Sequence, residues 1–163
     1  MNLRPVIDYF EQTVRPTVDE FYADEMNMRR GRIAAIVLYH VYDYAKSNGF
    51  GKPGDSLQGK NKMLYKVVHA VANASKHFQL HQHAIARHVE QIASDHNEGL
   101  FSAPFGDGVF TEANGIYLIL DEPQSHDGRD FERVELKSAI KFVFTFWESE
   151  IMRFKEDYKH NPY

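Results

Sequence analysis

The densest run of side chains able to do chemistry is Asn73, Ala74, Ser75, Lys76 and His77. An imidazole can pass protons near neutral pH, an ammonium can offset anionic charge, and a carboxamide can orient a phosphate or a hydroxyl. A second group is His40 with Asp43. Residues three apart on a helix can meet, so the carboxylate would fix the tautomer of the imidazole and favour its charged form. The pair reads either as an oriented general acid or base, or as a buried histidine satisfied by a local carboxylate.

Helical spacing decides which of these groups share a face. At roughly 100° per residue, His69, Asn73, Lys76 and His77 fall on one side of a helix, mostly away from its apolar stripe. Asn73 and His77, four apart, border the stripe, while Lys76 meets solvent. A border position suits a cleft or a subunit interface, and a solvated polar strip would look the same. His40 falls among Ile33, Ile36, Val37 and Tyr44, so it is expected to face the interior.

Other chemistries are weaker. His40, Asp43, His69 and His77 offer donors that zinc or iron accept. However, H-E-x-x-H and paired Glu-x-x-His motifs are absent, and no metal or other cofactor is expected. In His81-Gln82-His83 the histidines would share a face only in an extended strand. Ser75 lies within a helix and lacks a nucleophile elbow. The Gly-rich stretch 50–60 lacks the spacing of a phosphate-binding loop.

Composition narrows the classes. The net charge of -4 argues against a broad nucleic-acid-binding surface, though an RNA-handling site needs only a local basic patch. The one dense patch, Arg29, Arg30 and Arg32, reads as the solvated start of a helix. The absence of cysteine excludes disulfides and thiolate metal sites and suits a reducing cytoplasm. Residues Met1 to Phe10 lack the basic and apolar regions of a signal peptide, and the longest apolar run, Ile33 to Val41, is interrupted by His40. A cytoplasmic chain that does not enter the membrane is expected.

The elements that must position these residues are mostly helical. Val6, Phe10, Val14, Val18, Phe21 and Tyr22 carry helical spacing, with Pro16 expected to kink or restart the helix. Met28 to Ser47 is a second helix, stopped by Asn48 and Gly49. Phe50 to Lys60 is a loop, and Asn61 to Leu80 is a third helix with Met63, Val67, Ala70, Val71, Ala74 and Phe78 on one side. Ile85 to Ile92 fits either a helix or a strand, and Phe101 to Thr111 reads as a turn-rich aromatic loop. Gly115 to Leu120 and Phe131 to Val134 read as strands joined by the Asp127-Gly128 turn. Leu136, Ile140, Val143, Phe144, Trp147, Ile151, Phe154 and Tyr158 form the stripe of the last helix, and His160 to Tyr163 should fray. The expected fold is α+β, mainly α, in a single domain over 1–163. A four-helix bundle core (2–80 and 135–158) carries a small antiparallel β insertion (83–134) before the last helix.

The segment Ala72-Asn73-Ala74-Ser75-Lys76-His77 resembles the signature of HEPN domains, helical bundles found in prokaryotic toxins and RNA-cleaving defence proteins. That signature is an arginine, often followed by a polar residue such as asparagine, and then a histidine. Asn73 matches the polar position and His77 the histidine, while Ala72 stands where the arginine belongs. The resemblance implies metal-independent RNA cleavage at a homodimer interface, with a degenerate site because the phosphate-stabilising arginine is missing. His77 would be the acid or base, Asn73 would position phosphate or ribose, and Lys76 would offset charge. The chain is also similar to small bacterial proteins that pair an N-x-x-K-H helix with a Gly-Phe loop and a Phe-Trp last helix, here Phe105-Gly106 and Phe146-Trp147-Glu148. That likeness implies kinship and no activity. The alternative is a regulatory or protein-interaction module, such as an antitoxin-like protein, whose partner would be encoded nearby.

Overall fold

A computed structural model describes residues 2–77, 85–96, 114–126 and 128–160. The fold is α+β and mainly α: four helical rods with a three-stranded antiparallel sheet before the last. The first rod comprises α1 (Arg4–Tyr9), a π-helical segment (Phe10–Val14) and α2 (Arg15–Tyr22). Pro16, in the first turn of α2, therefore does not break the rod. The ladder widens just ahead of it, which accommodates the missing N–H and the ring. Val6, Phe10, Val14, Val18 and Phe21 stay on one buried line through this change.

The second rod, α3 (Met28–Ser47), has the expected limits. Asn27 caps it by accepting the Arg30 N–H, and Gly49 at φ 88 follows its end. Its buried face differs from expectation: Gly31, Ala34, Ala35, Leu38, Val41 and Ala45 are buried. Ile33, Ile36, Val37 and His40 form a half-covered rim, and Tyr44 is exposed. The cause is close approach. A Cβ on Gly31 would lie 3.0 Å from Leu136 Cδ2 and 3.2 Å from Phe21 Cε2. Small residues admit the neighbouring elements, and the larger ones are displaced to the edge.

The expected third helix is α4 (Gly59–Lys76), preceded by a 3₁₀ turn at Pro53–Ser56. It starts two residues early and stops at Lys76, with His77 in extended backbone at φ -128 and ψ 135. Leu64, Val67, Val68, Ala70, Val71, Ala72 and Ala74 are buried. Phe78 to Leu80 and the His81-Gln82-His83 run lie outside the described residues.

The ambiguous stretch 85–92 is neither helix nor long strand: a 3₁₀ turn at Val89–Gln91 leads into β1 (Ile92–His96). Gln91 ties it to the sheet. Its side-chain carbonyl accepts from the Arg87 and His88 N–H groups, and its amide donates to Ile119 O and Asp121. The two expected strands lengthen into β2 (Asn114–His126) and β3 (Arg129–Glu135), in sheet order β1-β2-β3. Gly128 at φ 72 serves the turn between them. Ile116, Leu118 and Leu120 point to the core while Ile119 is exposed, the alternation of a sheet with one covered face. The aromatic loop 101–111 and the tail 161–163 lie outside the described residues.

The last rod, α5 (Leu136–His160), buries Leu136, Ala139, Ile140, Val143, Trp147, Ile151 and Phe154 in the same core as the other rods and the sheet. The expected stripe is thus present from Leu136 to Phe154, the Tyr158 side chain lying outside the described ones; Phe144 is half-buried and stacks on Phe10 at 5.2 Å.

Candidate functional site

The chemistry-bearing residues lie along the outer edge of the α3–α4 contact. Tyr39 of α3 stacks on His69 of α4, ring centroids 4.5 Å apart and 7° from parallel. Lys76 places its Nζ 4.8 Å from the centre of the Tyr39 ring. His40, one residue on, has its Nδ1 2.9 Å from Asp43 Oδ2. Since a carboxylate can only accept, Nδ1 carries the proton and Nε2 is the nitrogen left for chemistry. The i, i+3 pair is therefore formed as expected, but on the surface: the side chains are 39% and 51% exposed. His40 does not face the interior, because the interior face of α3 is the small-residue face.

The polar residues of α4 divide. Asn73 is half-buried and Lys76 exposed, which matches the helical wheel. His77 departs from it. Its N–H bonds Asn73 O at 3.0 Å, but its extended backbone takes its exposed side chain off the helical register. Ala72 is fully buried, so the position where the HEPN signature carries arginine faces packed side chains. Among the described residues, no group of three or more His, Asp or Glu side chains converges as a metal site.

Electrostatics set the character of this edge. Burial lowers the pKa of His69 below 6.5, with nearby Lys76 adding to the effect and Asp43 opposing it. Although His69 has an exposed edge, Tyr39 covers the face of its ring. Burial also raises the phenols of Tyr39 and Tyr65, and in both Asp43 contributes. Tyr9 donates to Val37 O at 3.1 Å and stacks on Tyr44 at 4.1 Å. Burial first, then Tyr44 and Asp43, push its phenol up to about 12. The Tyr9 phenol is thus held neutral as a hydrogen-bond donor.

The expected basic patch is also split. Arg29 is exposed, whereas Arg30 bonds Glu20 O at 3.2 Å and pairs with Asp24 at 3.5 Å. Arg32 is half-buried, and its Nε is buried without a hydrogen-bond partner among the described residues, as is Ser75 Oγ. An unsatisfied buried donor costs about 1–3 kcal/mol, more when charged. Residue patterning carries no sign of either. By charge, Arg32 reads as part of a solvated run; by position, Ser75 reads only as an unsuitable nucleophile.

No family model, curated protein or solved structure matches the chain.

Proposed function

We propose that the chain is a HEPN-like RNA-processing protein of the toxin or defence type, cytoplasmic, with a degenerate active site. The observation that carries this reading is the edge of the α3–α4 contact. It gathers an oriented imidazole (His40–Asp43), a second, neutral-leaning imidazole (His69), a phenol (Tyr39) and an ammonium (Lys76) on two adjacent helices. These are the groups that acid–base cleavage of a phosphodiester needs: a proton acceptor, a proton donor and a cation near the phosphate. His77, Asn73 and Lys76 keep the roles of acid or base, positioning group and counter-charge, with His40–Asp43 as a second acid–base pair. A homodimer would bring two such edges together and complete the site.

A non-enzymatic interaction module is favoured by one specific observation, the burial of Ala72 where the family's arginine belongs. In that reading the exposed aromatic and imidazole groups of α3 and α4 contact a protein partner. The test is cleavage of single-stranded RNA in the presence of chelator by the native chain, His77→Ala and His40→Ala. The nuclease reading expects cleavage that drops at least about a hundredfold in one of the variants. Absence of cleavage by the native chain favours the interaction module.

A further inference from the structure

Charge is unevenly divided along the chain. Residues 28–76, which hold α3, α4 and their connection, carry nine Lys and Arg against two Asp and no Glu. The remainder carries ten against twenty-one, so the acidic balance belongs to the other elements. The extreme is α4, with four lysines and no carboxylate. A solvated helix ordinarily mixes signs, because i, i+4 ion pairs stabilise it and lysines near its start oppose the helix dipole. Here the first turn holds no acidic residue, and Gln58 makes no side-chain cap. The lysines of α4 therefore do not serve its stability. They do share a face. Lys62, Lys66, His69, Asn73 and Lys76 follow one another at steps of four, three, four and three, which keeps them on one side of the helix over roughly 21 Å. All are exposed except Asn73, which is half-buried. Neither Lys62 nor Lys66 has an ion-pair partner among the described residues. Asp43, the carboxylate of α3, is already paired with His40 at 2.9 Å. His69 is the ring in this row, and Tyr39 backs it at 4.5 Å.

We propose that this face of α4 is a track for a single-stranded nucleic acid, with phosphates along Lys62, Lys66 and Lys76 and a base against the His69 ring. A row of cations without counter-charges suits a linear polyanion, whereas a small anion would engage one lysine at a time. The ring within the row selects among polyanions. An unstacked base can lie on an imidazole braced by a phenol; an acidic peptide has no base to place there, and a duplex keeps its bases stacked. The track passes the Tyr39–His69 stack, beside His40 and Asp43, so a strand lying on it would reach the edge of the α3–α4 contact. The choice of RNA as the strand rests on the RNA-processing reading; binding of a single strand stands without it.

The test measures binding of a fluorescent, single-stranded 2′-O-methylated oligoribonucleotide, which cannot be cleaved through its 2′-hydroxyl, by anisotropy at several salt concentrations. Three lysines on the backbone predict a slope of log affinity against log salt of about -2. Lys62→Gln and Lys66→Gln should each reduce that slope by about 0.7 and weaken binding roughly fivefold near about 0.1 M salt. His69→Ala should weaken binding by about fivefold or more with the slope unchanged. The control is Lys141→Gln. Lys141 is exposed on the side of α5 whose residues Lys137, Phe144 and Glu148 meet Glu25, Phe10 and Arg15, and its loss should leave binding unchanged. Equal losses in Lys141→Gln and Lys62→Gln overturn the proposal, as does polyglutamate or a duplex of equal charge binding as tightly as the single strand. No measurable binding by the native chain also overturns it. If His69→Ala fails to fold, the double variant of Lys62→Gln and Lys66→Gln, both at exposed positions, decides through the slope. If the strand binds along the track and the native chain cleaves no RNA, the track stands and the nuclease reading falls. If the native chain cleaves RNA and the double variant binds and cleaves equally well, the RNA reading stands and the track falls.

Discussion

Arg15 and Arg32 are both half-buried arginines on helices of the same bundle, and they are treated in opposite ways. Arg15 is paired: its Nε meets Glu11 at 2.7 Å, its Nη1 meets Glu148 at 2.9 Å, and its guanidinium lies 5.4 and 5.2 Å from the ring centres of Phe10 and Phe144. The hydrogen bond from Arg15 is the main reason the Glu11 carboxyl is held below 4.5, and the same contacts raise the guanidinium further. This arginine joins the first rod to α5. Arg32 has the same chemistry with its inner nitrogen left open. Arg15 is tied into the fold by two carboxylates, whereas the buried Arg32 Nε has no partner among the described residues.

The largest test of that contrast places a third arginine on the seam. Ala72→Arg supplies the arginine of the HEPN signature but puts a guanidinium at a fully buried position on α4. Strain and desolvation should cost several kcal/mol, about 3 or more, read as a fall in the urea midpoint. Full stability together with a gain of RNA cleavage would mean that the packed face can open.

Removing the two native arginines should separate the paired guanidinium from the open one. Arg15→Ala is expected to cost about 1 kcal/mol in urea unfolding. The ion pairs are screened at 37% side-chain exposure, and the larger share is lost packing on two rings. Arg32→Met should be neutral or slightly stabilising, within about 0.5 kcal/mol, because it removes an unsatisfied buried donor while keeping the length of the side chain. The comparison collapses if Arg32→Met destabilises more than Arg15→Ala.

Much of this frame was legible in the sequence. The limits of α3, the β2–β3 hairpin around Gly128 and the stripe of α5 arise from periodicity and turn chemistry, which act locally. The buried face of α3 does not. Hydropathy marks Ile33, Ile36 and Val37 as the inner face, but close approach of Leu136, Phe21 and Ile116 selects Gly31, and Ala34 and Ala35 are buried with it. That is a tertiary choice no single helix encodes, and it turns His40 outward. His77 departs from the wheel for a different reason. Without a glycine or proline stop after Lys76, local sequence does not mark the end of α4, and wheel arithmetic has no information beyond the last turn. The open Nε of Arg32 and hydroxyl of Ser75 depend on tertiary packing, so composition and spacing are silent about them.

The pH dependence of the seam supplies smaller tests. His69 has its folded pKa lowered, so the folded state resists the proton that the unfolded chain takes up. Its contribution is present above the unfolded value of 6.5 and is lost as pH falls below it. His69→Gln should flatten the acid limb of the stability profile between about pH 7 and 5, measured by urea unfolding at each pH. Tyr9 has the opposite sign: its raised phenol favours the folded state up to 10.0, and that contribution is lost as pH rises toward about 12. An alkaline limb unchanged in Tyr9→Phe would mean that other phenols set it.

The smallest effect on stability is expected at the exposed pair. Asp43→Asn leaves a side chain of the same shape beside His40 but exchanges a carboxylate for a neutral amide. With both groups more than a third exposed, the loss should stay below about 0.5 kcal/mol. The informative readout is the imidazole itself. The carboxylate accepts from Nδ1–H, so the native ring should hold the Nδ1–H tautomer, visible in its ring-nitrogen shifts. In Asp43→Asn the amide can donate as well as accept, and the tautomer preference should relax. If RNA cleavage exists and depends on His40, it should fall with that preference while folding is unaffected. If the tautomer shifts and no function moves, His40–Asp43 is a surface pair with no part in the function.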